Sequence, residues 1–309
     1  MVIEQDKMQS LAARLAEGEV KGRSPWADAR KRFLRNKAAM AGLIILVLVT
    51  LFAAFGDFVA VWSNEELDYN VMGQVRELGA PSIASGHFFG TDDLGRDLYS
   101  RTVQGTRISL MVGIVGAAIA VIVGTLYGAT AGYVGGRTDQ IMMRTVDILM
   151  SIPYMFVLIL LLVIFGRSIG MLFLGIGLIS WLDMSRIVRG QTLTLKNREF
   201  IEAARATGVP TWKIILRHIV PNLLGVVAVY ATLLVPLMIL TESFISFLGL
   251  GVQEPLTSWG ALISEGAGTM RYGTIWQLAF PLGFFVVTLF SFFFVGDGLR
   301  DAFDPKMKG

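Results

Sequence analysis

Apolar residues are gathered into six long runs along the chain, and charged or turn-forming residues fill the intervals between them. The runs lie near residues 38–62, 107–133, 145–165, 169–188, 223–248 and 276–298. Because a helix needs roughly 20 largely apolar residues to cross a bilayer, each run predicts one transmembrane helix. The pattern therefore predicts an all-α membrane protein with six transmembrane helices. No small-residue cleavage site follows the first run, so we expect this run to remain as an anchor.

The distribution of charge predicts the orientation of these helices. Lysine and arginine number nine in residues 1–37 and seven from Arg186 to Arg217, whereas the alternate loops hold few. Since cytoplasmic loops carry an excess of these residues, six crossings with both termini in the cytoplasm satisfy every loop. The overall composition agrees with a membrane location, with 54% apolar and 17% charged residues. This asymmetry explains the net charge of +3, so it gives no reason to infer a nucleic-acid partner.

Several kinds of chemistry are disfavoured by what the chain lacks. It has no cysteine, which excludes disulfides and zinc-thiolate sites, and it has two histidines, His87 and His218, separated by several predicted crossings. Asp92, Asp93 and Asp97 lack the ligand spacing of a calcium loop, so we expect no metal site. No glycine-rich run ends in the lysine and hydroxyl residue of a P-loop, and we therefore expect no ATP site in this chain.

The flanks of the first two spans carry further signals. Ser24-Pro25 is a plausible helix start, and Trp26 and Phe33 then share a face that suits the headgroup region of a membrane. The same basic stretch also fits a simple topological stop signal. In the segment before the second span, Asp92 and Asp93 are candidate helix caps. Small residues recur every fourth position in the second span, which indicates either a packing face or a moving interface; they are Gly116, Ala120, Gly124, Gly128 and Gly132.

Ionisable residues within a span are costly and usually face a partner or a wet cavity. Asp183, near the cytoplasmic boundary of the fourth span, has Arg186 one helical turn away, so we expect a local salt bridge. Glu242, near the outer end of the fifth span, has no such partner. It either helps to form the translocation path or outer gate, or it reaches toward headgroup water. Prolines at positions 153, 236 and 281 predict kinks in three spans.

A compact charged segment, residues 190–222, separates the fourth and fifth spans. Its central run, Glu199 to Thr207, has helical spacing, Gly208 suits the left-handed position after a helix, and Pro210 can open the next helix. Ala203 and Ala204 leave room for another protein to approach, and four basic residues surround them: Arg198, Arg205, Lys213 and Arg217. The combination favours docking over catalysis, and an ordinary basic loop is the alternative.

The order of glutamate, two alanines, glycine and a later proline resembles the EAA loop of bacterial ABC-importer permeases, which seats in a groove of the ATPase subunit. Two further strings, Gly90-Thr91-Asp92 with Gly95-Arg96-Asp97 and Gly296 to Pro305, are similar to segments of the C-type permeases of oligopeptide and dipeptide importers. These blocks extend the resemblance over nearly all of the chain after the first twenty or so residues. The closer resemblance, to the oligopeptide branch, rests on the opening Gly22 to Trp26 and on the strings Ser180 to Gln191 and Phe244 to Pro255.

The resemblance implies the type I ABC-importer permease fold and a definite organisation of the chain. A polar cytoplasmic tail (1–23) and an interfacial helix (24–37) would precede the first span (38–62) and a periplasmic segment (63–106). The transport domain (107–299), with its EAA coupling loop (190–222), would then precede a cytoplasmic tail (300–309). The residues implied to couple to the ATPase are Glu199, Glu202, Ala203, Ala204, Arg205, Gly208 and Pro221.

The resemblance also implies partners in a bacterial inner membrane. These are a homologous B-type permease, two ABC ATPase subunits that use ATP and Mg, and a periplasmic peptide-binding protein that delivers oligopeptides. The chain itself would be a transport subunit without its own ATPase site or cofactor, in contact with membrane lipid. Permeases for dipeptides, nickel or antimicrobial peptides are alternatives within the same class. A secondary transporter, which would need coupling residues or an inverted repeat, is the alternative outside it.

Overall fold

In residues 25–303, which the computed structural model describes, the chain consists of helices joined by shorter loops and by one long segment, 59–97, that is mostly non-helical. Its helices are α1 Pro25–Arg35, α2 Lys37–Phe55, α3 Val75–Leu78, α4 Leu98–Val134, α5 Gly136–Ser151, α6 Tyr154–Phe165, α7 Ile169–Leu195, α8 Glu199–Ala206, α9 Thr211–Ile214, α10 Val220–Phe247, α11 Trp259–Thr269 and α12 Trp276–Phe303. A π-helical turn, Ile215–Ile219, joins α9 to α10. Short 3-10 turns, Gly56–Phe58 and Met270–Tyr272, follow α2 and α11. Two isolated antiparallel bridges, Leu67 with Arg96 and Thr91 with Asp97, fold the segment before α4.

Five stretches are long and apolar enough to cross a membrane. They are Lys37–Phe58, Leu98–Val134, Ile169–Leu195, Thr211–Phe247 and Trp276–Phe303. The pair α5 and α6 makes a sixth crossing if it is counted as one span, although the two helices meet at an angle of 77°. The prediction of an all-α membrane protein is therefore confirmed, with the third span broken at Pro153. The side of the membrane on which the termini lie stays a prediction.

The glycine stripe of α4 lies directly against α7. A Cβ atom added to Gly124 would be 2.8 Å from the carbonyl oxygen of Trp181, and one added to Gly132 would be 3.0 Å from that of Arg189. At Gly128 the added atom would collide with the carbonyl oxygen of Ser185. Small residues thus let the two helix backbones approach closely, as they do between helices in lipid. At these three positions the stripe is a packing face within the chain.

Helix α1 packs against the end of α12. Ala29 is buried, and the Trp26 indole contacts the ring of Phe303 edge-on, with 5.0 Å between the centroids. Part of the face predicted to meet lipid headgroups therefore contacts protein, while Trp26 remains 52% exposed. An interfacial position for α1 stays a prediction. Residues 1–24, with the predicted polar tail and Ser24, and residues 304–309 of the predicted C-terminal tail lie outside the described residues.

The start of α4 differs from its prediction. The helix begins at Leu98 rather than near residue 107, and Asp97 caps it by accepting a hydrogen bond from the backbone N–H of Ser100 at 2.8 Å. Asp92 and Asp93 are not caps. Asp92 instead closes the preceding turn, because its Oδ1 atom accepts hydrogen bonds from the N–H groups of Leu94 and Arg96, both at 2.9 Å.

Candidate functional site

The segment between the fourth and fifth spans folds into short helices at one end of the bundle. The backbone of Arg198 is extended immediately before α8, and Glu199 and Glu202 occupy the first turn of that helix. Acidic side chains are favourable there because the unpaired N–H groups at the start of a helix carry partial positive charge. Helix α9 follows after Pro210, which has an extended backbone at its N-terminal boundary.

The turn after α8 depends on Gly208. Its φ of +78° lies in the left-handed region, while a Cβ atom added there would meet nothing within 4 Å. Glycine is therefore favoured by the backbone conformation and not by a lack of space. The N–H of Gly208 donates to the carbonyl of Arg205 at 3.0 Å, and the N–H of Val209 donates to that of Ala204 at 3.1 Å. These bonds end α8 sharply, as the sequence pattern predicts.

The inner face of α8 is fixed to the transmembrane bundle by an apolar cluster, called here the inner cluster. Ile201 and Ala204 of α8 are buried in it. The other buried members come from α4, α7, α9 and α10 with the turn between α9 and α10, namely Ala129, Tyr133, Met184, Val188, Ile214, Ile215, Ile219, Leu223 and Val227. Helix α8 is thus packed against the ends of three membrane-spanning helices, and close-packed side chains resist separation.

The outer face of α8 is largely exposed, and its one contact with the bundle among the described residues is that of the Arg205 guanidinium with the Tyr133 ring of α4, 5.5 Å from the ring centroid. Glu202, Ala203 and Arg205 are exposed, and so is Phe200, which shows 43% of its surface. On the following turns Trp212 is 59% exposed. The surface formed by these side chains combines aromatic and charged groups around a small residue, which is the composition of a protein-binding patch.

The structure gives the predicted coupling residues different environments. Glu199, Gly208 and Pro221 are exposed like the outer face of α8. The sequence predicted that Ala203 and Ala204 together leave room for a partner. In the structure they lie on different faces of α8, because Ala203 is exposed whereas Ala204 belongs to the inner cluster. Their assignment to ATPase coupling stays a prediction.

Glu242 is completely buried among serines, which the sequence reasoning missed. Its carboxylate accepts hydrogen bonds from the hydroxyl groups of Ser109 at 3.0 Å and Ser246 at 2.6 Å. The Ser109 oxygen in turn accepts from the N–H of Trp259 at 3.1 Å, so the network joins α4, α10 and α11. The expectation that Glu242 reaches headgroup water is wrong, because its side chain has no exposed surface. A role at a gate stays a prediction.

Replacing Glu242 by alanine is expected to destabilise the protein by about 2 kcal/mol, because the buried hydroxyls of Ser109 and Ser246 would lose their acceptor. Glu242→Gln keeps an acceptor oxygen of similar size and should cost less. Thermal unfolding of the purified protein in mild detergent measures both variants. Equal losses for the two substitutions would contradict the importance of these hydrogen bonds.

Asp183 is not paired with Arg186, contrary to the sequence-based expectation. Arg186 reaches across to Asp147 on α5 and forms an ion pair there. The Asp183 carboxylate is exposed and faces a cavity of about 930 Å³ between the α5–α6 break, α7 and α10. The tertiary position of Asp147 overrides the helical spacing that predicted the local pair.

An ion-pair network fastens the segment before α4 to α11. Arg101 is buried and contacts Asp92 and Glu265, each at 2.6 Å, while Arg96 contacts Asp92 at 2.6 Å and Glu254 at 2.8 Å. Hydrogen bonding to the Arg96 guanidinium holds the pKa of the Glu254 carboxyl below its usual value. Arg96, Asp92 and Glu254 belong to strings that carry the family resemblance, but the sequence did not indicate that positions 254 and 265 would supply the partners of the two arginines.

His87 lies buried in the same segment before α4. Its Nδ1 atom is 2.9 Å from Asp97, its Nε2 atom is 3.5 Å from Asp68, and its ring stacks on Trp62 with 4.7 Å between the centroids. These contacts fold the segment around the start of α4. Within residues 25–303, no group of three or more histidine, aspartate or glutamate side chains is placed to hold a metal ion.

The fold combines a broken third span, a charged segment seated on three membrane-spanning helices and a half-open groove beside the break, a combination typical of membrane transport proteins. Residues 120–309 match the family described as binding-protein-dependent transport system inner membrane component, and residues 24–77 match the N-terminal TM domain of oligopeptide transport permease C. The chain belongs to this family of binding-protein-dependent permeases, whose members are bacterial inner-membrane proteins. The resemblance noted in the sequence is thereby confirmed.

The chain is similar over nearly its whole length to characterised permeases. It is 55% identical to the oligopeptide transport system permease protein OppC of Haemophilus influenzae, covering 97% of this chain and 95% of the relative. The OppC protein of Escherichia coli K12 is 56% identical, with 93% of each chain covered. The dipeptide transport system permease protein DppC of Bacillus subtilis is 44% identical, covering 91% of this chain and 86% of the relative.

Proposed function

We propose that the chain is a permease subunit of an ATP-driven oligopeptide importer. The single observation that carries the mechanism is the division of α8 into a buried inner face and an exposed outer face. The high identity to two oligopeptide permeases supports the cargo. The chain forms half of the translocation path and has no ATPase site of its own. ATP and Mg are used by its partners.

The outer face of α8 is the docking surface for an ABC ATPase subunit on the cytoplasmic side. Closure of two such ATPases around ATP moves α8, and the inner cluster passes this movement to α4, α7 and α10. The translocation path thereby alternates between two arrangements, which open to opposite sides of the membrane. ATP drives the switch because it binds one arrangement better than the other.

The complete assembly contains this chain, a homologous B-type permease, two ATPase subunits and a periplasmic peptide-binding protein. Affinity purification of the tagged chain from its native membrane, followed by mass spectrometry, tests this composition. Recovery of two ATPases and a second permease at stoichiometric levels is the expected result. A lone chain that transports peptides without nucleotide would overturn the proposal and favour a secondary transporter.

A dipeptide importer is a second candidate, which the similarity to the dipeptide permease supports. Uptake by the reconstituted importer of alanine peptides from two to six residues long separates the two cargoes. An oligopeptide importer retains uptake of the longer peptides, whereas a dipeptide importer loses it beyond the shortest.

Replacing Gly208 by valine is expected to lower ATP-dependent peptide uptake severalfold. A β-branched residue at a φ of +78° is strained by about 2 kcal/mol, so the turn relaxes and α8 shifts on its seat. Gly268→Val is the matched control, because Gly268 lies within α11, outside the coupling segment, with open space around it and no positive φ. The measurement is initial uptake at equal membrane levels of the two variants. Equal uptake would contradict the need for this turn.

A further inference from the structure

The cavity beside the α5–α6 break is apolar except at a few positions. Its volume of about 930 Å³ lies within the range typical of small-molecule sites. Side chains of α7 and α10, among them Leu178, Met238 and Phe244, form its walls, and Ser180 and Thr241 add hydroxyl groups. Asp183 is the one carboxylic acid among the lining residues of the described chain, and none of those residues is basic.

The carboxylate of Asp183 has no hydrogen bond or ion pair within residues 25–303, since Arg186 is engaged by Asp147. It belongs to α7, which is long and apolar enough to span the membrane. A charged side chain in such a helix is costly unless it faces water or a partner of opposite charge. Asp183 lies on the wall of a half-open groove, and its partner of opposite charge remains to be identified.

The broken helix provides a second, independent indication. The lining residues Leu149, Met150, Ile152 and Pro153 surround the point where α5 ends. Non-helical backbone is tolerated within a membrane where it lines a water-filled cavity or is buried in protein. The last carbonyl groups of a helix carry partial negative charge, and Pro153 has no N–H with which to pair one of them. Both the backbone and Asp183 therefore make this cavity favourable for a cation.

We propose that Asp183 is a specificity-determining residue of the translocation path, where its carboxylate receives the ammonium groups of a passing peptide. The proposal rests on the proposed function. Apolar walls accept varied side chains, whereas ammonium groups are present on peptides of every sequence and are most numerous on lysine-rich ones. The site is weak enough to release its cargo, because one exposed carboxylate in contact with water offers limited affinity.

The test is ATP-dependent uptake by proteoliposomes that contain the complete importer and saturating binding protein. Initial rates are measured over a range of concentrations for trilysine and trialanine. Asp183→Asn keeps the size of the side chain and removes its charge. We expect this variant to lower trilysine uptake about tenfold, the effect of one charge-assisted contact, and to lower trialanine uptake by less. Asp183→Glu should restore most of the trilysine rate.

Asp28→Asn is the matched control, since Asp28 lies on α1, away from the cavity. It should leave both rates unchanged. Equal effects of Asp183→Asn on the two peptides would overturn the inference while leaving the importer assignment intact. Loss of the second permease from the purified Asp183→Asn assembly would also overturn it, because a basic residue of that permease would then be the partner of Asp183. Absence of ATP-dependent uptake by the unmodified importer would instead refute the proposed function.

Discussion

Replacing Ala203 by tryptophan is expected to abolish ATP-dependent peptide uptake while leaving membrane insertion intact. Ala203 is exposed on the outer face of α8, so a larger side chain adds no clash inside the protein. It would, however, hold an ATPase subunit away from the surface that we propose as its docking site. A loss of about 3 kcal/mol in docking free energy, which is ordinary for a central interface residue, lowers occupancy about a hundredfold.

The measurement pairs peptide uptake with recovery of the ATPase subunits on the purified chain. Ala27→Trp is the matched control, because Ala27 is an exposed alanine of another short helix, α1. It should retain both uptake and ATPase binding. Normal uptake by Ala203→Trp would refute the docking assignment, whereas loss of the protein from the membrane would show that the position has a structural role instead.

Replacing Gly128 by alanine is expected to destabilise the protein by about 3 kcal/mol or more, at the upper end of the usual cost of overpacking. The added methyl group would collide with the backbone carbonyl of Ser185 on α7 and lie 3.0 Å from the backbone nitrogen of Arg189. Neither atom belongs to a side chain that can rotate away. The two helices must therefore separate, and neighbouring contacts along the stripe would be lost with them.

Gly283→Ala provides the comparison, since Gly283 lies within α12 and an added Cβ atom there meets nothing within 4 Å. In an open helical position alanine should be neutral or slightly stabilising, by up to about 1 kcal/mol. Thermal unfolding in mild detergent measures both variants. Similar unfolding temperatures for them would contradict the close approach of α4 to α7.

The membrane spans and the turn after α8 were predictable because their sequence signals are local. Long apolar runs identify membrane helices, a four-residue spacing of small residues identifies a packing stripe, and Gly208 with Pro210 identifies a helix stop and restart. Pro153 predicted an interruption of the third span. The angle of 77° between α5 and α6 carries no local signal, because it depends on what each helix packs against.

The partners of charged groups were not predictable in the same way. Spacing placed Arg186 beside Asp183, yet a residue 39 positions away along the chain takes the guanidinium. Ser109 is 133 positions from the Glu242 that it contacts. Such pairs are created by tertiary packing, and one sequence does not reveal which distant elements meet. Helix α11 was also missed, although Ser258 gives a detectable cap by accepting from the N–H of Ala261 at 3.3 Å.

Ion pairs join helices at both ends of the bundle, but α8 and the segment before α4 are held by different kinds of interaction. The segment before α4 is held by the ion pairs of Arg101, which are directional. The seat of α8 is an apolar cluster, whose attraction has no preferred direction. Within the described residues α8 makes no ion pair, so a small sliding of this helix would alter its packing and the contact of Arg205 with the Tyr133 ring without separating bonded charges. Moving the segment before α4, in contrast, requires its ion pairs to break.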